Sequence, residues 1–232
     1  FQARHVLPEA EGSGSWCFVA PAEGIFAVLT DCEYLTVRRE RVVAEGLLEF
    51  HFLLTGPVEL SLPQEQDATS PPDVSLMVCQ QSPGMAYDVV CQPGTYRMVS
   101  FYVCPVLLRD SFGMDFSRNA ARRLLAPGEG TMAMTEHKID PEFLRRLRDL
   151  FDIGFTTARD LPLAAGRILE LLVRSVDAVD RGSKADEQSI VFTVRELAMF
   201  DRAREVLASD FSEAQTIPQL ARKLGTNATK LK

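Results

Sequence analysis

Three histidines (His5, His51, His137) and five cysteines (Cys17, Cys32, Cys79, Cys91, Cys104) are the side chains of this 232-residue chain best suited to hold a metal or attack a substrate. A catalytic metal needs several such ligands converging on one ion with a coordination position left open. The spacing argues against that. His5 is expected in a loose N-terminus, His51 on the outer face of a strand and His137 in a loop before a helix, so no two of them pair at a ligand-like separation. The cysteines are odd in number, widely spaced and without a C-x-x-C pair, and no secretory leader precedes them, which reads as reduced thiols of a cytoplasmic protein. There is no Gly-rich phosphate loop and no G-x-S-x-G elbow. We therefore expect no catalytic residues, no metal and no cofactor.

Binding chemistry is better represented. Phe50 and Phe52, with Trp16, Tyr87, Arg97 and Tyr102 on nearby strands, could stack on an aromatic ligand or pair with an acidic one. The competing reading is that the aromatics fill a core and Arg97 lies on the surface with its stem on the sheet. Strands must position these groups. Short segments bounded by turn residues run through the first hundred residues: Trp16–Val19, Ile25–Leu29, Glu33–Val37, Leu47–Leu54 and Val58–Leu62. Between Leu48 and Leu54, Leu48, Phe50, Phe52 and Leu54 alternate with Glu49, His51 and Leu53, which makes the first set the inner face by period two. Gln64–Asp73, Ser82-Pro83-Gly84 and Gln92-Pro93-Gly94 read as loops and turns. Many short strands at this spacing suggest a barrel or sandwich, and a barrel of this size can hold one small molecule.

After Pro105 the period becomes helical, first near Val106–Phe112. Asp140-Pro141 is an N-cap followed by proline, with Phe143, Leu144, Leu147 and Leu150 on one stripe. Asp160 with Pro162 repeats the device for a helix to about Val179. Its apolar band (Ala165, Ile168, Leu169, Leu172, Val173, Val176) is wide enough to cover the barrel and also meet a second subunit. Arg181-Gly182-Ser183-Lys184 reads as a linker. The longest uncharged apolar stretch, Met98–Leu108, is far short of the roughly 20 residues that span a bilayer.

With a formal charge of −7, any contact with nucleic acid must be local. The last forty or so residues offer one place. A helix is expected over Val194–Phe211, with Leu197, Phe200, Ala203, Val206 and Leu207 on its apolar face. A second opens at Thr216, which forms a capping-box pattern with Gln219; Pro218 sits in its first turn and Gly225 ends it. Asn227 then caps a third helix whose Ala228, Thr229, Lys230 and Lys232, together with Arg222 of the second, could face base edges or phosphates. The same spacing also suits a helical hairpin with a solvated basic face.

Asp201–Leu207, Thr216–Ala221 and Leu224–Asn227 closely resemble the first helix-turn-helix of AraC/XylS-family transcriptional regulators. Gln81–Gly84, Cys91–Gly94 and Phe101–Pro105 look like the last barrel strands of such sensors. The resemblance implies an α+β fold: a cupin-like effector-binding barrel over 1–130, a helical dimerisation and linker segment over 131–185, and the start of a DNA-binding domain over 186–232. A longer regulator, completing the recognition helix and adding a second helix-turn-helix, is then expected. Asn227–Lys232 is similar to the siderophore-responsive branch, which implies an iron-loaded aromatic siderophore as effector. Implied partners are double-stranded promoter DNA, the effector and a second copy of the chain, with room for RNA polymerase and none for a membrane. Two alternatives stay open: a metal-dependent cupin enzyme, and a ligand-binding or dimerisation module acting through protein partners.

Overall fold

Period-two alternation carries through nearly every strand of the first half and sorts their side chains onto two faces. The computed structural model describes residues 1–56, 58–61, 68–69, 75–117, 119–124, 131–182, 190–193 and 216–226. In chain order the strands are β1 (Gln2–Val6), β2 (Gly12–Ala22), β3 (Ile25–Tyr34), β4 (Arg38–Val43), β5 (Leu48–Thr55), β6 (Val58–Ser61), β7 (Ala68–Thr69), β8 (Ser75–Gln81), β9 (Ala86–Cys91) and β10 (Gly94–Val103). Helices α1 (Pro105–Phe112) and α2 (Asn119–Leu124) follow, then β11 (Thr131–Lys138), α3 (Pro141–Phe151), α4 (Asp160–Gly182), β12 (Ile190–Thr193) and α5 (Ile217–Lys223). The strands form an eight-stranded sheet, β1-β2-β3-β10-β5-β8-β11-β12, and a four-stranded sheet, β4-β9-β6-β7, with antiparallel pairing throughout.

One face of the larger sheet is apolar. Cys17 and Val19 of β2, Ile25, Ala27 and Leu29 of β3, Leu48, Phe50 and Phe52 of β5, and Val99, Phe101 and Val103 of β10 are all buried there. They pack against Phe143, Leu147 and Leu150 of α3 and against Ile168, Leu172 and Val176 of α4, so the helices form a layer over this face. The opposite face looks toward the smaller sheet. Close strand approach at the β2–β3 end depends on Gly14: its φ is +99°, and a Cβ there would fall 2.1 Å from the Asp31 carbonyl oxygen.

The α3 cap forms as the sequence implies, with Asp140 Oδ1 accepting from the Phe143 N–H at 2.7 Å, an interaction that contributes about 1 kcal/mol in typical helices. Before α5, Gln219 Oε1 accepts from the Thr216 N–H at 2.9 Å, Ala221 is buried, and Gly225 takes a left-handed φ of +67°. Several expectations need correcting. Residues 131–138, assigned to the helical segment, are a strand paired with β8, and 190–193, assigned to the DNA-binding part, pair with β11. Glu33 belongs to β3, which continues without a break from Ile25, and the charged β4 was not anticipated. The Val194–Phe211 helix, most of the Gln64–Asp73 loop, Ser183-Lys184 and Asn227–Lys232 lie outside the described residues. Among those described, no helix is long and apolar enough to cross a membrane.

Candidate functional site

The space between the two sheets is a cavity of about 390 Å³. Residues opposite in parity to the apolar core line it, because successive side chains of a strand point to opposite faces. Trp16 and Phe18 of β2, Phe26 and Tyr34 of β3, and Tyr96 and Tyr102 of β10 supply six aromatic rings. Phe18 and Phe26 lie nearly parallel at 5.9 Å, and Phe26 leads on to Tyr102 at 6.0 Å. Trp16 Nε1 donates to Tyr34 Oη at 3.1 Å, which fixes the indole plane, while the Arg38 guanidinium stacks on its ring 4.2 Å from the centroid. Arg38 is held in turn by Glu11 and Glu40. Burial pushes the phenols of Tyr34 and Tyr102 well above their ordinary range, so both remain O–H donors at neutral pH.

The electrostatic character is acidic. Glu40, Glu45 and Glu49 line the cavity, and no lysine or arginine does so among the described residues. Glu49 is the most enclosed of the three. Its Oε2 lies 2.9 Å from His51 Nε2 and 3.8 Å from Cys79 Sγ, while His51 Nδ1 meets Ser100 Oγ at 2.8 Å. Burial, reinforced by the neighbouring Glu49 carboxylate, pushes the Cys79 thiol well above its usual value.

Of the six ligand candidates, Trp16 and Tyr102 line the cavity. Phe50 and Phe52 do not: both are fully buried on the helix side of β5. Alternation separates two faces of a strand without saying which one the helices cover, and here the purely apolar face goes to the helices. Tyr87 is buried beside Met132, with its Oη accepting from Gln81 Nε2 at 3.2 Å. Arg97 is half-exposed, pairs with Asp31 at 2.8 Å and stacks on Phe151, away from the cavity. The histidines also move. His5 lies in β1 and stacks on Trp16 at 5.3 Å, His137 is buried in β11 against Thr135, and His51 faces inward. Of the DNA-contact candidates, Arg222 is exposed on α5, whereas Asn227, Ala228, Thr229, Lys230 and Lys232 lie outside the described residues. None of the five cysteines is disulfide-bonded. Glu49 and Ser100 were not among the sequence candidates, and His51 and Cys79 were weighed there without being brought together, although Glu49-x-His51 carries the period-two signal that places both on one face.

A two-sheet barrel enclosing an aromatic cavity, with helices on its outer face, is the frame that the helix-turn-helix resemblance implies for a sensor. The family model described as the regulatory protein PchR N-terminal domain matches residues 11–190, more than three quarters of the chain and all of the cavity. The chain belongs to this family. Membership in the PchR family agrees with the AraC-type reading of the sequence and makes the barrel a regulatory domain. No curated protein sequence matches the chain. Among solved structures it is similar to apo ToxT from Vibrio cholerae, with a TM-score of 0.46 and 8% identity over 89% of this chain and 72% of that one. It is also similar to unsaturated-fatty-acid-bound ToxT, with a TM-score of 0.41 and 10% identity over 89% and 70%. A cupin domain from Bordetella pertussis gives a TM-score of 0.30 and 12% identity, over 38% of this chain and 91% of that one.

Proposed function

We propose that this chain is the sensing part of an effector-responsive, DNA-binding transcription regulator, a binding protein of the cytoplasm rather than an enzyme. The observation that carries the reading is the 390 Å³ cavity with six aromatic rings in its wall, a size suited to one small molecule. The effector class it favours is a flat aromatic compound. The sequence resemblance narrows this to an iron-loaded aromatic siderophore. Sheet order supports a route for the signal: β5, which contributes Glu49 to the cavity wall, leads through β8 and β11 to β12, at the start of the segment assigned to DNA binding. An effector that prefers one arrangement of this edge would change how the DNA-binding part is presented.

Trp16 makes the test direct, because it is the single tryptophan and it lines the cavity. Titrating iron-loaded and iron-free aromatic siderophores, aromatic acids and sugars should give saturable quenching of its fluorescence with the aromatic class. Trp16→Phe should abolish the signal while calorimetry still detects binding. Unchanged fluorescence and unchanged melting temperature with every compound would overturn the effector reading and favour a module that senses a protein partner.

The DNA and dimer parts share one further experiment. Leu163 and Val173 are exposed apolar residues on α4, on the side left free by the sheet, and they support a homodimer face. Sedimentation of the regulator carrying both helix-turn-helix units with a labelled promoter duplex should give two chains per duplex, with affinity falling steeply as salt rises. A one-to-one, salt-insensitive complex would sink both.

A further inference from the structure

Glu49 and His51 stand two apart on β5 and share a face, and the register pairs Glu49 with Cys79 of β8 and His51 with Ser100 of β10. A carboxylate oxygen, an imidazole nitrogen and a thiol sulfur thereby converge from neighbouring strands, all within 4.8 Å of one another. We propose that Glu49, His51 and Cys79 form a binding site for a divalent d-block cation, with zinc(II) the ion that the donor set fits best. The site does not depend on the effector reading, since it is argued from its own three ligands.

The geometry is close to what such an ion requires. With metal–oxygen and metal–nitrogen bonds near 2.0–2.1 Å and metal–sulfur near 2.3 Å, a tetrahedral ion separates its ligand atoms by about 3.3–3.6 Å. The Glu49–His51 and Glu49–Cys79 separations of 2.9 and 3.8 Å straddle that range, and with all three ligand atoms within 4.8 Å of one another, side-chain adjustment without movement of the strands would seat an ion. The thiol argues against magnesium and calcium, which take oxygen ligands, and in favour of zinc and its neighbours.

The surroundings are those of a metal centre as well. Ser100 Oγ at 2.8 Å from His51 Nδ1 holds the ring with Nε2 toward Glu49, the orienting contact that metal-bound histidines usually have. Gln81 is 1% exposed, its Nε2 lies 3.7 Å from Cys79 Sγ, and its Oε1 has no hydrogen-bond partner. The Gln81 Nε2–H group, shared with Tyr87 Oη, is a donor placed to stabilise a thiolate at Cys79. On binding, the ion takes the place of the Cys79 thiol proton, which leaves to solvent. Three protein ligands leave a fourth position for water or for an atom of a molecule in the cavity, since Glu49, Ser100 and Tyr102 also line that space.

The test is a cobalt(II) titration of the metal-free chain followed by absorption. A thiolate-to-cobalt charge-transfer band with intense tetrahedral d–d bands should grow to one equivalent and be bleached by zinc(II). Cys79→Ser should remove the charge-transfer band, and His51→Gln should weaken cobalt binding by at least tenfold while leaving the far-ultraviolet circular dichroism unchanged. Absence of the band in the folded wild-type chain would overturn the site. So would a band that persists in Cys79→Ser, because the sulfur would then come from one of the other four cysteines. Because the metal alone is the probe, either result stands apart from whether an organic effector binds.

Discussion

Phe52→Ala should cost about 3–5 kcal/mol of stability, the usual loss for removing a fully buried phenylalanine. Phe52 is inaccessible to solvent, lies edge-on to Phe101 with centroids 5.6 Å apart, and meets Phe143 of α3 at 5.2 Å. Removing the ring leaves a void at the junction of sheet and helix layer and forfeits two aromatic pairs, each worth roughly 0.5–1.5 kcal/mol beyond area burial. Urea denaturation followed by circular dichroism measures the loss. Tyr102→Phe on the other face of the sheet keeps the ring and should cost far less. A loss below about 1 kcal/mol for Phe52→Ala would mean that the site collapses without a cavity and that α3 is not seated on β5 as described.

The same residue shows what can be read from the sequence and what cannot. Alternation along Leu48–Leu54 identified a strand and divided its side chains correctly, and Asp140-Pro141 and Asp160 marked the starts of α3 and α4. Which face of β5 receives the helices and which faces the cavity is a tertiary choice, made by the stripes on α3 and α4 some ninety residues or more away. Period two is blind to it. The inversion moved Phe50 and Phe52 out of the ligand site and brought Glu49 in, with His51 beside it on the same face of the strand.

Two of the strands not anticipated, β11 and β4, were missed for related reasons. Thr131–Lys138 mixes Thr, Met, Glu, His and Lys, yet its pairing with β8 and β12 on either side makes it an interior strand of the sheet. Arg38–Val43 is charged because it belongs to the outer, smaller sheet, and its Glu40 faces the cavity. The Cys79 convergence was beyond reach of spacing arguments altogether. Twenty-eight residues separate it from His51 in sequence, and only the β5–β8 register brings them together. The AraC-type resemblance was nonetheless within reach, because it rests on local sequence signals at Asp201–Leu207 and Thr216–Asn227, beyond the stretch that the family model matches, and on the order of strands before helices.

An aromatic amine should bind the cavity at least tenfold more tightly than the carboxylate built on the same ring. The cavity carries Glu40, Glu45 and Glu49 and, among described residues, no lysine or arginine, while Arg97 is turned outward onto Asp31 and cannot receive an acid. A unit charge about 6 Å from a single carboxylate at an effective dielectric constant near 20 feels roughly 3 kcal/mol, attractive for the amine and repulsive for the acid. Solvent at the mouth screens the exposed Glu45 most and the enclosed Glu49 least. A tenfold difference, about 1.4 kcal/mol, is therefore a lower bound set mainly by Glu49. Trp16 quenching in the presence of a chelator measures both affinities without interference from bound metal. Glu49→Gln should narrow the gap, chiefly by improving the carboxylate. Equal affinity for the two ligands would mean that the aromatic wall binds without charge selection and that Glu49 takes no part in choosing the effector.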